Sequence, residues 1–104
     1  MGNALRVGEH LRARLRELAG VHARIGDVRG AGLFIGIELI EAGDPARPLG
    51  STPAVINAMR DRRVLIGAAG RWGNVLKVRP PLCFSEANAE QVVSALAEAL
   101  DATP

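Results

Sequence analysis

Lys77 is the chain's single lysine, and it stands two residues from Arg79 in the segment Val75-Leu76-Lys77-Val78-Arg79-Pro80-Pro81-Leu82. In an extended strand alternate residues share a face, so the two cations project the same way, about 7 Å apart by the strand rise. Like charges that close oppose one another unless water or an anion sits between them. Two readings follow, a solvated sheet edge and an anion site, and the spacing does not choose between them.

Other reactive residue types give less. The loop Gly67-Ala68-Ala69-Gly70-Arg71-Trp72-Gly73 lacks both the Gly-Lys-Ser/Thr ending and the G-x-G-x-x-G spacing of nucleotide-binding loops. It runs into a strand, whereas those motifs open a helix. It reads as a hairpin-like connection that needs positive φ angles, with Trp72 at its tip able to touch a ligand or a neighbouring domain. His10 and His22 have no partners at metal-ligand spacing and read as surface residues. Cys83, in the apolar turn Leu82-Cys83-Phe84, has no histidine near it in sequence and reads as a buried, inert thiol.

The elements that would position Lys77 and Arg79 are visible in the hydrophobic pattern. Val7, Leu11, Leu15 and Leu18 recur at helical spacing over residues 3–19, and Gly20 is a natural stop. The arginines of that segment, Arg6, Arg12, Arg14 and Arg16, could face an acidic partner or a membrane surface, but read as a solvated face interspersed with glutamates. A short strand is expected at Ile25–Arg29, broken or bent by Gly30-Ala31-Gly32. A second covers Leu33–Ile40, with Leu33, Ile35, Ile37 and Leu39 on one face and Phe34, Gly36, Glu38 and Ile40 on the other. Gly36 marks a bulge or a close backbone approach; Glu38 marks its face as only partly dry.

Residues 41–50 have loop composition. A helix capped by Ser51 or Thr52 runs to about Arg62 and buries Val55, Ile56 and Met59. A short apolar strand at Val64–Ile66, the glycine loop, and a strand at Asn74–Arg79 follow, ended by the two prolines. Ser85 caps a last helix, Glu86 complements its dipole, and Ala89, Val92, Ala95, Leu96, Ala99 and Leu100 form its buried stripe. The resulting order is α-β-β-α-β-β-α. It specifies an α+β sandwich, a small mostly antiparallel sheet with helices on one face.

Composition bounds the rest. A chain of 104 residues that is 48% hydrophobic can form one domain with its own core. No apolar run approaches a membrane span. Net charge is +2 and aromatic content 3%, with no tyrosine, so stacking platforms for nucleic acid are nearly absent. One cysteine forms no internal disulfide and fits a reducing, cytoplasmic setting.

Several segments together resemble a known family. Ile25-Gly26-Asp27-Val28-Arg29-Gly30-Ala31-Gly32-Leu33-Phe34-Ile35-Gly36-Ile37-Glu38-Leu39 is similar to the strand pair that opens the C-terminal small domain of class III aminotransferases, fold-type I enzymes dependent on pyridoxal 5'-phosphate (PLP). Val64–Gly70, then Asn74–Leu82, resemble that domain's closing strands, and Ser85-Glu86-Ala87-Asn88 with the helix behind it matches its terminal helix. The likeness covers nearly all of residues 1–104.

The resemblance implies an intact enzyme that is a dimer of two-domain chains with PLP at the subunit interface. It implies that a large domain supplies the Schiff-base lysine, the aspartate facing the pyridine nitrogen and most phosphate contacts. None of those motifs stands in this sequence, and Lys77 falls in the small domain. The chain by itself is therefore expected to bind no cofactor and to be inactive, contributing substrate-anion contacts to a transaminase or related amine lyase. Many members carry an arginine three residues before the proline pair, where a guanidinium fork clamps the substrate's carboxylate. Here that residue is Lys77, a point charge suited to phosphate. Asn74–Phe84 in this respect looks most like the subgroup of ethanolamine-phosphate phospho-lyases and bacterial relatives fused to kinase-like domains. The implied substrate is a small amine bearing an anionic group. Lys77 is the leading anion contact, and Arg79 and Arg29 are further candidates, Arg29 standing just before a glycine bend where arginine often has a structural role.

Two other functions fit the element order. One is a free-standing basic α/β module binding RNA, against which the lack of aromatic motifs on the strands argues. The other is a regulatory domain binding a small anionic ligand at the glycine loop and the Lys77/Arg79 pair. If the chain is a severed small domain, uncovered apolar surface should drive self-association.

Overall fold

The computed structural model describes residues 2–31, 34–62, 64, 66–78 and 85–103. Three helices, α1 (Gly2–Ala19), α2 (Thr52–Asp61) and α3 (Glu86–Ala102), accompany five strands. The strands are β1 (Ile25–Ala31), β2 (Phe34–Glu41), β3 (Asp44–Pro48), β4 (Gly67–Ala69) and β5 (Val75–Val78). Four of them form the sheet in the order β1-β2-β5-β4, and β3 pairs with the far end of β2. Every pairing is antiparallel.

The α+β architecture expected from the pattern is present, with one strand added and others shifted. β3 lies in the segment that composition marks as loop. It pairs only through Ile40↔Pro48 and Glu41↔Asp44, and the Leu49 amide donates to the Leu39 carbonyl just beyond it. The strand thus exists because β2 is there to receive it. Gly30 and Ala31 continue β1 rather than ending it. The strand expected at Val64–Ile66 begins instead at Gly67, so half of the glycine loop is β4, and the turn proper is Gly70–Gly73. Gly70 and Gly73 have φ of 84° and 66°, as the hairpin reading requires.

Alternation decides which face of the sheet is dry. Val28, Ile35, Ile37, Leu39, Leu76 and Val78 point to one side and are buried, in a core shared with Val7, Leu11 and Leu15 of α1, Val55 and Met59 of α2, and the stripe Ala89, Val92, Val93, Ala95, Leu96, Ala99 and Leu100 of α3. The three helices therefore cover one face. Ile40, on the other face by parity, is also buried, because Gly26 leaves room for it; a Cβ on Gly26 would lie 2.8 Å from Ile40 Cγ2.

Helix ends are fixed by local chemistry. Ser85 Oγ accepts from the Asn88 amide at 3.1 Å while Asn88 Oδ1 accepts from the Ser85 amide at 3.0 Å, a reciprocal capping box. Ser51 occupies the N-cap of α2 without a side-chain cap bond; the Thr52 hydroxyl donates back to the Leu49 carbonyl at 2.6 Å instead. Arg24 Nη1 donates to the carbonyls of Leu100 and Thr103 at the end of α3. No buried side-chain nitrogen or oxygen among the described residues lacks a partner.

His10 and His22 are half-buried and lie against carboxylates of α3. His10 Nε2 is 3.0 Å from Glu90 Oε2, and His22 Nε2 is 3.1 Å from Asp101 Oδ1. The large hydrophobic side chains exposed among the described residues are Val21 and Trp72, at 80% and 67%.

Candidate anion site on the open sheet face

The register places the charged residues. Arg29 of β1 pairs with Gly36 of β2, Gly36 pairs with Lys77 of β5, and Lys77 pairs with Gly67 of β4. One row across the sheet therefore reads Arg29, Gly36, Lys77, Gly67, all projecting from the face without helices. Strands lie about 4.8 Å apart, so the two cations stand two strand spacings from each other. Between them is a glycine, which carries no side chain to fill the gap.

That gap is the floor of an open cleft of about 580 Å³, lined by Arg29, Gly30, Ile35, Gly36, Ala69, Val75 and Lys77. Gly36 is not bulged, since the β1–β2 pair shifts register at Ile25/Asp27 of β1 and the β2–β3 pair at Ile40/Glu41. Its missing side chain makes space instead. The close approach expected at Gly36 occurs at Gly30, where an added Cβ would be 2.7 Å from Arg12 Cδ. The arm of Arg12 lies on that glycine.

Arg29 is held by carboxylates of the neighbouring row. Its Nε is 3.3 Å from Asp27 Oδ2, and its Nη2 is 3.5 Å from Glu38 Oε2. The strand ends that carry the row are fastened nearby. Asn74, buried just before β5, donates its Nδ2 to the Leu39 carbonyl at 2.8 Å, and the Leu39 amide donates to the Asn74 carbonyl at 2.8 Å.

Of the three residues singled out from the sequence, the structure brings Lys77 and Arg29 to one cleft. Arg79 lies outside the described residues, as does Cys83. The second cation the structure supplies is Arg29, from the edge strand β1 two strands away. Sequence reasoning missed Asp27 and the part played by Glu38; the available signal was that both share parity with Arg29 and Gly36. Trp72 is at the tip of the β4–β5 turn, with the Arg71 guanidinium carbon 5.0 Å from its ring centroid, a cation–π contact. Among the described residues no three His, Cys, Asp or Glu gather as a metal site, and no helix is long and apolar enough to cross a membrane.

Two cations flanking a glycine floor can hold a polyoxygen anion. Phosphate accepts hydrogen bonds from several directions, so an ammonium and a guanidinium on opposite sides engage it together.

An α+β unit of this topology with a cationic cleft on its open sheet face has clear relatives. Residues 1–100 match the class-III aminotransferase family, and the chain belongs to that family. It is 42% identical over 96 residues to ethanolamine-phosphate phospho-lyase homolog 1 of Caenorhabditis elegans, covering 90% of this chain and 21% of that protein. It is 40% identical over 95 residues to mitochondrial alanine–glyoxylate aminotransferase 2 homolog 2 of Arabidopsis thaliana, covering 90% and 20%. A phospholyase from Arthrobacter, solved in complex with phosphoethanolamine, superposes with a TM-score of 0.91 at 39% identity over all of this chain and 25% of its own. A PLP-bound amine transaminase from an uncultivated Pseudomonas species gives 0.81 at 33% identity over 96% of this chain and 23% of its own. The chain thus spans about a fifth to a quarter of the proteins it matches.

The family's enzymes depend on PLP, and the cleft can be tested for fit to that cofactor. PLP needs an amine for its aldehyde and a partner for its pyridine nitrogen, commonly a carboxylate. The described lining offers one amine, Lys77, and no carboxylate or hydroxyl. It fits an anion and does not fit the cofactor.

Proposed function

We propose that residues 1–104 are the small domain of a class III PLP-dependent enzyme, and that their chemical contribution is to hold the anionic group of a small amine substrate. The observation that carries this is the row Arg29–Gly36–Lys77, two cations over an empty glycine position. A large domain would supply the Schiff-base lysine and the cofactor contacts, and the isolated chain would be inactive. Likeness to a phospho-lyase relative and to a phospholyase solved with phosphoethanolamine supports phosphate as the anion, as does a lysine where many members have a carboxylate-clamping arginine. PLP, when bound in the intact enzyme, supplies the electron sink for the amine carbon; Lys77 and Arg29 bind and orient the other end of the substrate. Arg79 belongs to the same proposal as a neighbour of Lys77.

The test is Lys77→Ala in the enzyme formed with the large domain. Loss of one charge-assisted contact should raise KM for a phosphorylated amine by about ten- to a hundred-fold, with an uncharged amine of equal length unaffected. Equal kinetics of the variant and the parent on both amines would remove Lys77 from the site.

A further inference from the structure

Glu38 is a charged group on the cleft face that an anion site does not call for. It lies two residues along β2 from Gly36, on the same face, and so stands diagonally from both Arg29 and Lys77. A carboxylate there repels a ligand anion and occupies the guanidinium the ligand needs. Yet its hold on Arg29 is loose. The Arg29–Asp27 and Arg29–Glu38 separations of 3.3 and 3.5 Å exceed those of a tight ion pair, and the three side chains keep between 32 and 60% of their surface exposed. Pairs of this kind exchange partners at little cost.

We infer that Glu38 is a resident counter-anion of the cleft. With no ligand present it and Asp27 hold Arg29 along the β1–β2 face; an entering anion displaces Glu38 and recruits the guanidinium across Gly36 toward Lys77. Glu38 is thus a positioning residue that acts through Arg29 and lowers the affinity of the site. Its neighbours on the sheet fit this role. Gly36 leaves the path across the strand open, a Cβ there meeting, among the described residues, only Val75 Cγ1 at 3.4 Å, and Asp27 keeps Arg29 tethered by Nε after Glu38 is released. The inference rests on the proposed anion site, and the experiment separates the two.

The probe is inorganic phosphate, titrated into the 104-residue chain and followed by the amide resonances of Gly36 and Lys77. Glu38→Gln should tighten phosphate binding by about two- to five-fold, the worth of one exposed ion pair. Glu38→Ala should move the same way. In an Arg29→Gln background the gain from Glu38→Gln should shrink to what direct repulsion of the anion contributes, because the double-mutant cycle isolates the coupling between the two residues. Lys77→Ala, with Glu38 intact, should weaken binding. Unchanged or weaker binding in Glu38→Gln, or an equal gain with Arg29 absent, overturns the role of Glu38 while leaving the anion site in place. No phosphate-dependent shifts in the parent chain, or no loss in Lys77→Ala, overturns the site and the inference together.

Discussion

Arg14 and Glu90 meet side-on between the first and last helices, with Arg14 Nε 2.9 Å from Glu90 Oε2 and Nη2 3.0 Å from Oε1. His10 Nε2 approaches the same carboxylate, and Glu17 takes Arg14 Nη1 at 2.9 Å. The Arg14 hydrogen bonds hold the Glu90 carboxyl below its ordinary range, against partial desolvation, with His10 helping, and Glu90 in turn raises Arg14. A carboxyl depressed in the folded state contributes stability that is present above its unfolded value of about 4.3 and is lost as pH falls through the lower folded value. Urea unfolding midpoints should therefore decline below about pH 5. Glu90→Gln should lower the midpoint at neutral pH and flatten that decline; an unchanged slope would exclude the pair as its source.

The stripe of α3 belongs to the core and packs against both other helices. Leu96 is fully buried among residues of all three helices and the sheet. Leu96→Ala removes most of that side chain and leaves a cavity, so unfolding free energy should fall by about 2–5 kcal/mol, measured by urea denaturation. For a domain of ordinary stability this is a large share of the total.

The β4–β5 turn offers a controlled comparison. Gly70 and Gly73 both have positive φ, but a Cβ at Gly70 would lie 2.8 Å from Val75 Cγ2, while at Gly73 nothing stands within 4 Å. Gly73→Ala should cost about 1–2 kcal/mol from backbone conformation alone. Gly70→Ala adds a clash with a cleft-lining side chain and should cost more. Equal losses in thermal unfolding would mean that Val75 yields freely.

The capping box at Ser85 is separable from the core. Ser85→Ala removes the acceptor for the Asn88 amide and should destabilise the domain by about 1 kcal/mol. Ser85→Asp should restore most of the loss, because a carboxylate both caps and suits the helix start. Amide exchange at Asn88 reports the cap directly.

What was legible in the sequence, and what was not, follows from where the information resides. The α3 stripe and the alternation of Ile35, Ile37 and Leu39 are periodic within one element, so their buried faces could be read before any partner was known. β3 could not be read. Pro45 and Pro48 argue against a strand, and the segment pairs only because Glu41 and Ile40 present backbone groups to it. β4 begins later than the apolar run Val64–Ile66 suggests because pairing with β5, not hydrophobicity, sets its limits. For the site, parity put Gly36 and Glu38 on one face of β2 and Lys77 on one face of β5. It could not say that these faces coincide, nor that Arg29 lies two strands from Lys77. That knowledge resides in the β1-β2-β5 order. The family resemblance singled out Lys77, and the register places Arg29 across Gly36 from it.

The clasp between α1 and α3 has a bearing on how the chain comes to be folded. Residues 10 and 14 face residue 90, and residue 22 faces residue 101, so the two helices run in the same sense and are joined through contacts 76 to 80 residues apart in sequence. Leu11 and Leu15 leave the ribosome well before their helical partner α3. Until Glu90, Leu96 and Leu100 have been translated, the side of α1 that meets α3 is uncovered. Closure of such distant contacts slows folding, so α1 is sealed on this side only after α3 is made.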